Sequence, residues 1–265
     1  MVQQEGHAPA RVDATTPNHA RVYDYILGGK DNFAADRAAG QRLTASAPDL
    51  PLLAQANRKF LARVVRSFAE AGIRQFIDLG TGIPTSPNVH EVARSVDPST
   101  RVVYIDNDPV VVVHNHALLT TDDRVITIEA DIRRPKEILG HPELKALIDF
   151  DEPVGLLFLA VMHLVAPAED PAGIVATFRD QVAPGSHIAL CQFAADSDPA
   201  GMARFDEIYA NSPVKITFRT RDEIRQLFDG FELLPPGLVD VADWRPETET
   251  QPTSMKVAGG VGRKN

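Results

Sequence analysis

The chain has 265 residues, 44% of them hydrophobic, and a formal net charge of −9. Such a length suits one large domain, or a domain with an extension, whose core needs no staples. The acidic balance argues against nonspecific nucleic-acid or anionic-membrane partners, and the lone Cys191 excludes an internal disulfide and suits a reducing compartment.

Residues 1–16 are polar, carry Gly, Pro and Thr without periodicity, and read as a flexible tail. Pro17 can open a helix over Asn18 to Leu27 with Thr16 as its cap, and Gly28-Gly29 ends it. A second helix is expected from about Asn32 to Ala45. Between Pro51 and Ala71, Leu53, Ala56, Phe60, Val64 and Phe68 recur every three or four positions, which is one face of an amphipathic helix that Gly72 stops. Residues 17–71 are thus expected as a helical cap or lid, and 72–265 as the main domain. There, strands are expected at Arg74–Leu79, Val102–Ile105, Val125–Ala130, Val154–Ala160 and His187–Gln192. Between them lie helices marked by Val89, Val92 and Val96, by Val111 to Leu119, by Leu144, Leu147 and Ile148, and by Ile174, Val175, Phe178 and Val182. This alternation builds βαβ units and a parallel sheet, covered on both faces and therefore continuously apolar along each strand. Thr220 and Glu223 form a capping box for a helix carrying Ile224, Leu227 and Phe228. Phe231–Val241 and Met255–Val261 then read as two strands, joined too closely for a helical crossover and so antiparallel. The longest strongly apolar run, Val154 to Met162, is far short of the roughly 20 residues that span a bilayer, and no segment reads as a signal peptide. A soluble, cytoplasmic protein is expected.

The residues that carry chemistry gather at strand ends. Asp78-Leu79-Gly80-Thr81-Gly82 closes the first strand, where ligands bind in open α/β sheets and where glycine lets the backbone come close. A carboxylate just before a Gly-x-Gly would repel a pyrophosphate. It suits a ligand with a cationic amino group, such as the methionine part of S-adenosylmethionine. A dinucleotide fingerprint would also want a third glycine where Thr85 stands. Asp106, followed by Asn107, ends the second strand 24 residues after Gly82, the place from which a carboxylate holds ribose hydroxyls. Asp108 and Pro109 suit the cap and first turn of the next helix better, so Asp106 is left without an obvious structural task. Asp131 ends the third strand and could accept from an adenine amino group while Ile132 packs on the ring; the alternative is a pair with Arg133 or Arg134. Ala160 to His163 ends the fourth strand, facing the place of a sulfonium. His163 is a candidate general base, or else a packed structural histidine. His114 and His116 lack a third ligand, so no metal is expected. Cys191, in the run Ile188-Ala189-Leu190-Cys191, reads as a buried small hydrophobe.

These residues resemble the class I S-adenosylmethionine-dependent methyltransferases. The stretch from Pro17 to Phe33, with Tyr23, Gly28-Gly29 and Lys30 in it, looks like the signature of a bacterial subfamily first described as a domain of unknown function. The ending Gly259-Gly260-Val261-Gly262-Arg263-Lys264 is similar to that group's. The resemblance implies a Rossmann-like α/β fold with a seven-stranded, mostly parallel sheet, an antiparallel last strand, helices on both faces and an N-terminal helical extension. It implies S-adenosylmethionine as cofactor. Asp78, Gly80 and Gly82 would correspond to the first cofactor motif, Asp106 to the ribose carboxylate and Asp131 to the adenine contact. Enzymes that methylate amino groups of bases or proteins often carry Asp or Asn after the fourth strand. Leu159-Ala160-Val161-Met162 has neither, which implies a small-molecule acceptor. The signature segment is read as a lid, with Tyr23 near the methionine end and Gly29 and Lys30 in its loop; a cap over the first helix is the alternative.

The sequence thus points to a methyltransferase. A non-catalytic binder of S-adenosylmethionine or S-adenosylhomocysteine is the second reading. A nicotinamide dehydrogenase is disfavoured by Asp78 and the absent third glycine.

Overall fold

A computed structural model describes residues 13–119, 122–210 and 216–265. Three helices come first: α1 (His19–Ile26), α2 (Ala34–Ser46) and α3 (Leu50–Glu70). Asn18, rather than Thr16, caps α1, because its side chain reaches the amides of Ala20 and Arg21. Arg21 turns back and donates to the carbonyls of Asp13 and Thr16 at 3.1 and 2.8 Å. The end of the expected tail is therefore tethered, while its residues 1–12 lie outside the described ones. The apolar stripe of α3 is buried as its spacing predicts, and Gly72 ends the helix at φ +97°.

The strands are β1 (Gln75–Leu79), β2 (Arg101–Asp106), β3 (Val125–Glu129), β4 (Gly155–Leu159), β5 (His187–Phe193), β6 (Glu232–Leu233), β7 (Val239–Asp240) and β8 (Val257–Arg263). They form one sheet in the order β3-β2-β1-β4-β5-β8-β6, with β7 also paired to β8. The first five are parallel, and β8 runs antiparallel to β5 from His187 opposite Arg263 to Phe193 opposite Val257. The later helices are α4 (Val89–Val96), α5 (Pro109–Leu118), α6 (Pro135–Gly140), α7 (Pro142–Leu147), α8 (Pro171–Gln181), α9 (Pro199–Ala210) and α10 (Arg221–Gln226).

The fold class is the expected one, with corrections inside it. The sheet has eight strands, because the single strand expected over Phe231–Val241 is two short ones on the same edge of β8. Pro235 and Pro236 between them have no N–H to donate to a ladder. The helix expected around Leu144 and Leu147 is α7, and α6 is an additional short helix before it, parted from it at His141 before Pro142. The helix α9 was not expected from the periodicity.

One face of the sheet packs Phe60, Val64 and Phe68 of α3 with Trp244, and the other packs Phe158, Phe178 and Phe228. The glycine-rich β8 lies between these layers. A Cβ on Gly259 would stand 2.6 Å from Val241 Cγ1 and 3.0 Å from Cys191 Cβ, so the terminal glycines let bulky neighbours close on both sides. Among the described residues no helix is long and apolar enough to cross a membrane.

Candidate active site

The strand order reverses at β1, which has β2 on one side and β4 on the other. Beyond the carboxyl ends of parallel strands, such a reversal opens a crevice. Here it holds a cavity of about 390 Å³, within the range of small-molecule sites. Tyr23, Asp78, Gly80, Thr81, Gly82, Asp106, Asn107, Asp131, Ile132, Ala160 and His163 all line it. Residues from five elements or their ends, far apart in sequence, thus converge on one space.

Gly29 and Lys30 do not. Both are exposed, in a turn folded onto Asp24. The Gly29 amide donates to the Asp24 carbonyl at 2.8 Å, and Asp24 Oδ2 accepts from the Asp31 amide and Asn32 Nδ2 at 2.9 and 2.8 Å. The neighbouring Arg21 and Asp36 pair at 2.8 Å, almost fully buried, and Asp36 also accepts from the Asn18 and Phe33 amides. The signature segment is therefore a clip joining α1 to α2. Its glycine turn serves the clip, and its inner face gives Tyr23 and His19 to the cavity.

The glycine loop is shaped by its neighbours. Gly80 sits at φ +77°, and a Cβ there would be 2.3 Å from Val161 Cγ2, so no larger residue fits without movement. Gly80 and Thr81 donate to the Ile105 carbonyl at 2.8 and 3.2 Å, fixing the loop to β2. Asp106 has a structural task after all. Its carboxylate accepts from the Gly82 amide at 2.9 Å and the Asp108 amide at 3.0 Å, joining the loop to the start of α5. Asp108 caps α5 through the Val110 amide, with Pro109 at the first position, as its spacing predicts.

The acids differ in charge state. Burial pushes Asp78 up to about 7; Arg58 opposes this and Asp106 adds to it. Burial likewise pushes Asp106 up to about 6, against the amides of Gly82 and Asp108. At Asp131 burial would raise the pKa, but hydrogen bonds from Arg133 outweigh it and hold the carboxyl below its ordinary value. Arg133 grips Asp131 with Nε at 2.8 Å and Nη2 at 2.6 Å. The pairing alternative for Asp131 is therefore what the geometry contains, while Ile132 is buried at the cavity wall.

Burial, with His19 and Arg219 adding, pushes His163 from its near-neutral ordinary pKa down to about 3. At neutral pH it is an uncharged ring with little basicity. Its neighbour His19 is pushed by burial to about 4.

Several cavity residues escaped the sequence reading. Arg58 on α3 donates to the carbonyls of Thr85 and Pro87. Asn57 donates to the Tyr23 hydroxyl at 2.9 Å and accepts from Cys191 Sγ at 3.0 Å, tying α1, α3 and β5 together. Tyr23 in turn donates to the Ala54 carbonyl at 3.2 Å, and burial lifts its pKa to about 12. Gln192, next to last in β5, stands on the cavity wall. A signal was present for two of these: Asn57 interrupts the apolar stripe of α3, and Gln192 stands near the end of an apolar strand.

A doubly wound sheet with one antiparallel strand, and a glycine loop between buried acids at its switch point, defines a class I, Rossmann-like methyltransferase. More particularly, the chain belongs to the S-adenosyl methyltransferase family, whose model matches residues 5–265. A candidate methyltransferase from Thermobifida fusca is 41% identical, with a TM-score of 0.90 over 95% of this chain and 96% of the other. A DUF574 family protein from Streptomyces avermitilis is 40% identical, with a TM-score of 0.92 over 96% of this chain and 100% of the other. Human N-acetylserotonin methyltransferase in complex with SAM, 15% identical, shares the fold at a TM-score of 0.50 over 95% of this chain and 63% of its own. No curated protein matches the chain.

Proposed function

We propose that this protein transfers a methyl group from S-adenosylmethionine to a small-molecule acceptor. The observation that carries this reading is the row of acids at successive strand ends. Asp78, Asp106 and Asp131 stand at or just past the carboxyl ends of β1, β2 and β3 and line one cavity. A ligand lying across those ends would set a cationic amino group beside Asp78, ribose hydroxyls on Asp106 and an adenine ring over Ile132. The residues fit such a group. Gly82, at φ +69° with nothing within 4 Å of where a Cβ would stand, leaves the loop backbone open to it. Asp106 keeps acceptor capacity after its two amide bonds, since a carboxylate offers about four lone-pair sites. Arg133 already holds Asp131, so the apolar face of Ile132 carries more of the adenine contact than a direct bond from Asp131.

When bound, the cofactor supplies a methyl group already activated on its sulfonium. The chain's tasks are then to hold both molecules in line and to exclude water. Tyr23, fixed through Asn57 and the Ala54 carbonyl, and Ala160 line the cavity. His163 acts there as a neutral hydrogen-bonding ring. Calorimetry with S-adenosylhomocysteine tests the reading: the wild-type chain should bind it, and Asp106→Ala should weaken binding at least roughly tenfold. No binding to the wild type would sink it. Binding without product from any of a broad panel of small acceptors would instead favour the non-catalytic binder.

A further inference from the structure

The cavity is divided by charge. Its charged lining residues, Arg58, Asp78, Asp106, Asp108, Asp131 and Arg133, all stand at the ends of β1, β2 and β3 or beside the glycine loop. The other half, over the ends of β4 and β5 and under α1, has no Asp, Glu, Lys or Arg among its described lining residues. Its titratable rings, His19 and His163, are kept uncharged at neutral pH by burial. Arg219 packs behind this half but is spent: it donates to the Met162 and Val165 carbonyls at 2.7 Å each and to Gln192 Oε1 at 3.0 Å. An ion bound there would lose its water and meet no counter-charge among the described lining residues.

What this half offers is aromatic surface and unmet hydrogen-bonding nitrogens. His163 lies 5.7 Å from the Phe193 ring and 6.5 Å from the His19 ring, centre to centre, and such walls suit a flat molecule. The Gln192 amide is oriented by Arg219, because a guanidinium can only donate and so must face Oε1. That leaves Gln192 Nε2 as a buried donor with no partner among the described residues, and the same holds for His163 Nδ1. A buried donor left unpaired is costly, and a ligand oxygen brought to this end would remove that cost.

We propose that the half of the cavity over β4 and β5 selects an uncharged, planar acceptor carrying a hydroxyl or carbonyl oxygen, held through Gln192 Nε2. This deepens the methyl-transfer reading and rests on it. The probes are naphthol, naphthoate and naphthylmethylammonium with the same ring position, titrated at neutral pH with and without saturating S-adenosylhomocysteine. Naphthol should bind at least roughly tenfold more tightly than either ion. Gln192→Glu keeps an oxygen for Arg219 but removes the donor. It should weaken naphthol roughly tenfold while S-adenosylhomocysteine affinity, which also reports correct folding, stays within about twofold. Equal or tighter binding of naphthoate or naphthylmethylammonium to the wild type would overturn the proposal, as would unchanged naphthol affinity in Gln192→Glu. A wild-type chain that fails to bind S-adenosylhomocysteine overturns the cofactor reading instead, and the titration without it still reads the acceptor half.

Discussion

Asp78 couples stability to ligand binding at a single residue. Its folded pKa of about 7 lies above the ordinary 3.8. Between those values the fold holds a proton that the unfolded chain has lost. This contribution to stability is therefore complete below pH 3.8 and lost as pH rises to about 7. A cationic amino group beside Asp78 would favour the ionised form and offset that loss. Asp78→Asn should accordingly raise stability at pH 8, on the order of 2 kcal/mol, yet weaken S-adenosylhomocysteine at least roughly tenfold. In the wild type, affinity should rise from pH 6 to pH 8, and in the variant it should rise less, only as Asp106, at about 6, ionises. Denaturant unfolding and calorimetry at both pH values check this, and a less stable variant would refute it. The residues readable from sequence were those whose chemistry is odd for their place: an acid before glycines, or acids ending apolar strands. His163 was readable as a position but not as a charge state, because burial is set by chain segments that its neighbours do not reveal. Gln192 owes its free donor to Arg219, 27 positions away, and no local pattern carries that.

At the scale of elements, periodicity and breakers located nearly every strand and helix, since parallel strands are continuously apolar and glycine or proline ends them. The losses have local causes. The prolines at 235 and 236 split an edge strand that its apolar content made look continuous, and Asn18 displaced Thr16 as cap. The signature segment was read for the density of its functional residue types, yet most of them serve the clip between α1 and α2. The Arg21–Asp36 pair is the clip's centre, with side chains 4% and 0% exposed. Removing one partner of such a pair costs about 3–5 kcal/mol, because the other charge stays buried. Asp36→Ala should therefore loosen α1 and α2 while leaving the sheet intact. Hydrogen exchange should quicken over residues 19–46 and remain slow in β1, β4 and β5, and ligand affinity should fall as Tyr23 loses its place. Uniform quickening throughout would show instead that the clip is inseparable from the core.

For the whole molecule, the sequence suggested a lid of residues 17–71 on a separate core, and packing divides that segment. Phe60, Val64, Val65, Phe68 and Ala69 of α3 are at most 1% exposed and share a cluster with the sheet. Arg63 also donates to the carbonyls of Trp244 and Val241 at the far end of the chain. Removing even one large core side chain costs about 2–5 kcal/mol, against a total stability of about 5–15 kcal/mol. A chain lacking residues 1–71 should therefore fail to fold. A chain lacking only residues 1–46 keeps α3 and the sheet, and loses the Val22, Tyr23 and Leu43 side of the cavity. It should unfold cooperatively, at lower denaturant because Leu50, Leu53 and Leu61 lose cover, and it should not bind S-adenosylhomocysteine. Circular dichroism through a denaturant series, with ligand titration on the same samples, reads both outcomes. If the shorter chain binds with wild-type affinity, α1 and α2 are no part of the site. If the chain beginning after residue 71 folds, α3 is a cap and not core.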